Sequence, residues 1–145
     1  MTLKKTVKQM VEDAEAEIKS LPVLDAMNLL ESEDHVFVDL RDVRELDHDG
    51  MIPDAFHAPR GMIEFWVDPE SPYHKDIFAS GKTFVFYCRS GWRSALATKA
   101  RFRTWDTSRS AISTAVPVPG WKPVVPWRIG PRRKKIKPEL GYDCF

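Results

Sequence analysis

The sequence predicts an α/β domain built on a mainly parallel central sheet flanked by helices. Three observations carry that prediction. Two short runs, His35-Val36-Phe37-Val38-Asp39-Leu40 and Thr83-Phe84-Val85-Phe86-Tyr87, are dense in β-branched and aromatic residues, the composition of buried strands. Apolar residues at three- and four-residue spacing lie before, between and after them, and short strands alternating with helices pack as parallel strands with helical crossovers. Each run also leads into a charged or reactive cluster, and sites in such sheets lie outside the carboxyl ends of the strands.

Along the chain, Leu3, Val7, Met10, Val11, Ala14 and Ile18 recur among acids and lysines, predicting an amphipathic helix over residues 2–19 that Pro22 ends. Leu24–Ser32 offers Leu24, Ala26, Met27, Leu29 and Leu30 as the buried side of a second, short helix. The strand at His35–Leu40 runs into Arg41-Asp42-Val43-Arg44-Glu45. A turn over Gly50–Ala55 then leads through Phe56-His57-Ala58 to Pro59-Arg60-Gly61. Met62–Trp66 has the length of one or two helical turns, Asp68–Tyr73 is stiffened by Pro69 and Pro72, and a helix is expected over His74–Ala79. The strand at Thr83–Tyr87 delivers Cys88, and Ser94–Ala100 has the pattern of the helix that follows. The expected organisation is a helix over residues 1–20, a domain over 21–100 and a tail over 101–145 of different composition.

Cys88 and the loop after it, Arg89-Ser90-Gly91-Trp92-Arg93-Ser94, are the most reactive feature of the chain. A free thiol ionises near ~8.5, and nearby cations and a helix N-terminus favour the thiolate, the form that attacks. Backbone N–H groups of a tight loop before a helix make an anion-binding nest. Gly91 supplies the positive φ such a loop needs, and Ser94 is a candidate N-cap.

Composition narrows the function classes. Apolar residues make up 43% and charged residues 30% of the 145, as in a soluble globular domain. No apolar run approaches the ~20 residues of a membrane span and no signal segment stands at the start, so a cytoplasmic location is expected. Cys88 and Cys144 do not make a disulfide framework, and His35, His48, His57 and His74 are scattered singly without zinc-ligand spacing. No metal and no cofactor is expected.

The residues Val38-Asp39-Leu40-Arg41-Asp42-Val43-Arg44-Glu45, then Gly50-Met51-Ile52-Pro53, then Cys88-x-x-Gly91-x-Arg93, together resemble the single-domain rhodanese (thiosulfate sulfurtransferase-like) family. The resemblance covers about residues 20–100 and extends to Pro59–Trp66, while Asp54 stands where the family usually has glycine. It implies that Cys88 takes a sulfane sulfur from a small anionic donor, forms a persulfide and passes the sulfur to a thiol, a cyanide-like acceptor or a protein acceptor. Two covalent steps then replace one difficult transfer. It implies further that loop amides from Arg89 through Ser90 and Gly91 to Ser94 hold the persulfide, that Arg93 orients the loop and stabilises anionic sulfur, and that Arg89 draws in the donor. Trp92 would wall the mouth, and Asp39 and Arg41 would anchor the active-site loop.

Two other functions fit parts of the pattern. Cysteine phosphatases and arsenate reductases also cradle an oxyanion over a thiolate, but with five residues between cysteine and arginine; here there are four, Arg89, Ser90, Gly91 and Trp92, and the shorter ring suits a persulfide. Non-catalytic modules on the same scaffold typically lose the cysteine, which this chain keeps. Asp42 and Glu45 read as a solvated salt-bridge surface, and Phe65, Trp66, Tyr73 and Phe78 as core packing.

The tail reads differently from the rest. Residues 1–100 carry 12 Lys and Arg against 18 Asp and Glu, residues 101–145 carry 10 against 3, and 6 of the 11 prolines lie in the tail. Such a basic arm can serve nucleic acid. A blander cause fits better, and binding of nucleic acid is not expected. Back-translated with free wobble bases and read one frame over, Arg101–Asp106 can give Leu-Gln-Asp-Met-Gly. Ala111–Arg128 can give His-Ile-Asp-Gly-Gly-Ser-Gly-Ala-Trp-Met-Glu-Ala-Gly-Gly-Pro-Val-Glu, which resembles the segment that should follow the loop in this family. A frame displacement near residues 99–101 is therefore expected, with the C-terminal part of the domain incomplete, without its closing strand and helix, and activity impaired.

Overall fold

The computed structural model describes residues 3–104 and 114–117, with residues 101–104 and 114–117 described by backbone alone. Five strands, β1 (Lys19–Ser20), β2 (His35–Asp39), β3 (Phe56–His57), β4 (Thr83–Cys88) and β5 (Thr114–Pro117), form one sheet in the order β1-β5-β4-β2-β3. Every pairing is parallel. The helices are α1 (Val7–Glu15), α2 (Val23–Met27), α3 (Val43–Asp49), α4 (Ile63–Val67) and α5 (Trp92–Thr104), with 3-10 turns at Arg60–Met62 and Asp76–Ala79. None of the described helices is long and apolar enough to cross a membrane.

The two apolar runs form the middle of the sheet. β4 alternates its side chains between the faces, as the pleat requires. Phe84, Phe86 and Cys88 pack with Val38, Leu40, Ala58, Ile63 and Ala97 on one face, and Val85 and Tyr87 with Ala26, Phe37, Ile52 and Ala55 on the other. Each wholly buried Phe or Val contributes roughly 1.5–3 kcal/mol through apolar surface removed from water. That double-sided burial explains why these strands lack a polar face.

Local chemistry sets the helix ends. Thr6 accepts from the Gln9 amide while the Gln9 side chain accepts from the Thr6 amide, a reciprocal cap that starts α1 at Val7 rather than near residue 2. Val11 and Ala14 of α1 then pack on Ala95 of α5, and Lys99 of α5 reaches the Asp13 carbonyl and the Glu17 carboxylate. Lys19 and Ser20 leave α1 to pair with β5. The helix expected over Leu24–Ser32 is confined to Val23–Met27, and the one expected over His74–Ala79 is a 3-10 turn at Asp76–Ala79.

Two findings go beyond expectation at the C-terminal side. α5 continues through Thr104, past Ala100, and Thr114–Pro117 inserts as a strand between β1 and β4. A closing strand is thus present where none is expected, and β-branched Thr114 and Val116 are suited to it. The expected tail otherwise lies outside the described residues.

Asp54, in the turn after Ile52-Pro53, has φ 59. This left-handed conformation strains a residue with a Cβ and costs glycine little. Asp54→Gly is expected to keep the fold and raise the unfolding free energy by up to about 1 kcal/mol, seen as a higher urea midpoint; a lower midpoint would mean that the aspartate side chain stabilises the turn.

Candidate active site

The register brings the two motif clusters to one edge. Asp39, at the end of β2, lies opposite His57 of β3 and Tyr87 of β4, and Cys88 follows opposite Pro117. Beyond this carboxyl edge lie Arg41, α3 and the loop from Arg89 into α5.

Cys88 is wholly buried and unbridged. Gly91 takes φ 85, the conformation expected of it, and the chain enters α5 at Trp92. Ser94 is therefore inside the first turn of α5 and is not its N-cap. It is buried, and its hydroxyl donates to the Gly91 carbonyl at 2.9 Å while its oxygen lies 3.6 Å from Cys88 Sγ. With that proton engaged, the Ser94 oxygen is free to accept from the thiol. If the thiol loses its proton, the Ser94 hydroxyl can turn to donate to the sulfur. Arg89 and Ser90 are exposed, and Trp92 is 46% exposed, so these three form the outer rim of the loop. Arg89 has the Asp49 carboxylate 3.8 Å away.

Arg93 points back across the site. Its Nη1 and Nη2 donate to the two carboxylate oxygens of Glu45 at 2.5 and 2.9 Å. Glu45, together with the Cys88 sulfur, raises the Arg93 guanidinium above the ordinary arginine value, against the opposing effect of burial. The same Glu45 accepts from the Asp42 amide at 3.1 Å while Asp42 accepts from the Arg44 amide, which closes the capping box that starts α3. Glu45 is thus no free surface charge, as the sequence alone would have it. A capping-box reading of Asp42-x-x-Glu45 would have marked it as a helix start.

Asp39 is wholly buried and accepts three hydrogen bonds from the Arg41 side chain at 2.7–3.2 Å and one from the Arg41 amide at 3.0 Å. Burial opposes the Arg41 charge, and Asp39 more than offsets it. Arg41 also donates to the Gly50 carbonyl at 2.7 Å and lies over the Tyr87 ring at 5.9 Å. His57 Nε2–H donates to the Arg41 carbonyl at 2.9 Å. This pair therefore fixes the C-terminal end of α3, and Arg93 fixes its N-terminal end. Burial, then the Asp39 charge, pushes the Tyr87 phenol above its ordinary value, and its oxygen accepts from the Ile52 amide at 3.2 Å.

The Arg93 hydrogen bonds hold Glu45 down at about 2, against an ordinary 4.5. A carboxylate depressed in the folded state adds stability above its unfolded value, and that contribution is lost as pH falls through the folded value. The pair therefore weakens between pH 4.5 and about 2. Glu45→Gln is expected to flatten the fall in unfolding midpoint across that window; an unchanged slope would mean that the pair adds nothing to stability.

Among the described residues no group of three or more His, Cys, Asp or Glu side chains is gathered as a metal site, and Cys144 lies outside them. The family model of the rhodanese-like domain matches residues 23–122, well over half of the chain. The chain belongs to the rhodanese-like domain family. The match runs past residue 100 and takes in the strand at Thr114–Pro117. Among solved structures, a protein of unknown function and possible tyrosine phosphatase from Rhodopseudomonas palustris is 43% identical at a TM-score of 0.73, covering 81% of this chain and 87% of that one. The human single-domain sulfurtransferase is 24% identical at a TM-score of 0.46, covering 66% of this chain and 89% of that one. The 30 kDa polysulfide-sulfur transferase homodimer of Wolinella succinogenes is 27% identical at 0.49, covering 76% and 74%. No curated protein matches the chain.

Proposed function

We propose that this rhodanese-like domain is a sulfurtransferase that carries sulfane sulfur as a persulfide on Cys88, taken from a small anionic donor such as thiosulfate and passed to a thiol, cyanide-like or protein acceptor. The observation that carries it is the loop itself: a buried cysteine at a strand end, four intervening residues, and an arginine in the first turn of α5 beside the sulfur. The Cys88 thiolate attacks the outer sulfur of the donor, the S–S bond of thiosulfate breaks, and sulfite leaves with the electron pair. The terminal sulfur of the persulfide is then attacked by the acceptor, which returns Cys88 as thiolate. One atom enters the site in each cycle, which suits a thiol that is wholly buried.

In this reading Arg93 and the first-turn N–H groups of α5, which have no intrahelical partner, hold the negative sulfur. Ser94 supplies or withdraws its proton at Sγ, and the exposed Arg89 beside Trp92 gathers the donor. Arg93→Ala is expected to slow transfer by about 10²-fold, while Arg89→Ala raises KM for thiosulfate and leaves the maximal rate nearly unchanged. Equal, small effects from both would remove Arg93 from this role.

A second reading, hydrolysis of phosphate esters, draws on the Rhodopseudomonas palustris protein, a possible tyrosine phosphatase. The two are separated by assaying one preparation with thiosulfate and cyanide, and with an aryl phosphate. Thiocyanate release without phosphate release is the expected result; the reverse would replace sulfur transfer with phosphoryl chemistry.

A further inference from the structure

The proposed transfer asks Arg93 to present one face of a flexible side chain to the Cys88 sulfur, and a long arginine does not hold such a pose unaided. The geometry points to Glu45 as the positioning residue of the site: its carboxylate, anchored in the first turn of α3, holds the Arg93 guanidinium beside Cys88 without touching substrate. The inference rests on the sulfur-transfer reading for the identity of the reaction, and, for the coupling, on the Glu45–Arg93 geometry together with the interaction of the Arg93 charge with the Cys88 sulfur.

Three observations support it. The Glu45–Arg93 contact is bidentate, at 2.5 and 2.9 Å, and such a fork fixes the plane of the guanidinium as well as its distance. Glu45 Oε2 also accepts from the Asp42 amide at 3.1 Å, so the carboxylate cannot swing with the arginine. α3 is itself pinned at its far end, where Arg41 holds the Gly50 carbonyl at 2.7 Å and the buried Asp39. A rigid path thus runs from the end of β2, through α3 and Glu45, to Arg93 and the Cys88 sulfur. Arg89 has no comparable fork, with its Asp49 contact at 3.8 Å. Of the two arginines flanking the loop, Arg93 is held for positioning and Arg89 is left to move with incoming donor.

The test compares Glu45→Ala, Arg93→Ala and the double variant, with Asp42→Ala as control, because Asp42→Ala removes the other half of the same cap and spares the Arg93 fork. Two rates are read: persulfide formation from thiosulfate, and alkylation of Cys88 by iodoacetamide, which reports the thiol whatever reaction it serves. Glu45→Ala is expected to slow both by about as much as Arg93→Ala, on the order of 10²-fold for a misplaced group. KM for thiosulfate should change little, and the double variant should be no slower than either single one. Asp42→Ala should lower the unfolding temperature and leave both rates near wild type. Glu45→Gln keeps an acceptor for the Asp42 amide and should lie between Glu45→Ala and wild type in rate, and it serves if Glu45→Ala does not fold. Wild-type rates in Glu45→Ala, or a double variant slowed by the product of the single effects, would overturn the inference. If wild type forms no persulfide while the alkylation rates couple as described, sulfur transfer fails and the positioning role stands.

Discussion

Cys88→Ser is expected to abolish sulfur transfer, lowering the rate from thiosulfate by about 10⁴-fold or more, as loss of a covalent nucleophile does elsewhere. The reason is chemical rather than structural. A hydroxyl ionises far above a thiol, so the anionic attacking form is missing, and an oxygen cannot carry sulfur as a persulfide. Serine is slightly smaller than cysteine and would lie near the Ser94 oxygen, now 3.6 Å from Sγ, so its hydroxyl gains an acceptor. The unfolding temperature should therefore remain close to wild type. Activity retained in the serine variant would mean that another group attacks the donor.

The other large effect concerns the chain beyond about residue 101. We infer that this basic, proline-rich stretch is read one frame away from the segment that would complete the domain. The described helices leave apolar surface uncovered: Val7 on α1 is 54% exposed and Leu24 on α2 is 74% exposed. Thr114–Pro117, which fills the gap between β1 and β4, is encoded where the other frame gives the Gly-Gly turn, so restoring the frame replaces this strand, and the gain is expected from the turn and the Trp-bearing helix that follows it. A version encoding that frame should unfold cooperatively at a temperature higher by roughly 10 °C or more, the shift that a few kcal/mol produces in a domain of this size, and should carry the higher activity. An unchanged unfolding temperature would contradict the frame displacement. Nucleic-acid binding lost on trimming residues 128–137 would instead make the segment a working basic arm.

Much of the fold was legible because burial leaves a strong mark. His35–Asp39 and Thr83–Cys88 are strands buried on both faces, and continuous β-branched and aromatic runs have few other uses. Shorter elements were not legible. Phe56–His57 and Lys19–Ser20 are two-residue strands, too short for any periodicity, and they exist because longer neighbours pair with them. α3 was hidden because its outward face is polar and it has no buried residue; caps and ion pairs hold it rather than an apolar stripe. The same blindness applied to Glu45. An acid 48 positions from its arginine partner looks like surface charge until the parallel register brings the ends of β2 and β4 together. Gly91 was readable from its type, since few other residues take a positive φ cheaply, whereas Ser94 was misplaced by the start of α5 at Trp92.

The central claim is that Cys88 carries the sulfur, and intact-protein and peptide mass spectrometry tests it most directly. After incubation with thiosulfate and removal of excess donor, the protein should gain the mass of one sulfur atom, located on the peptide containing Cys88, and should lose it on addition of cyanide with release of one thiocyanate. No added mass on Cys88, or a sulfur that cyanide cannot remove, would contradict the account.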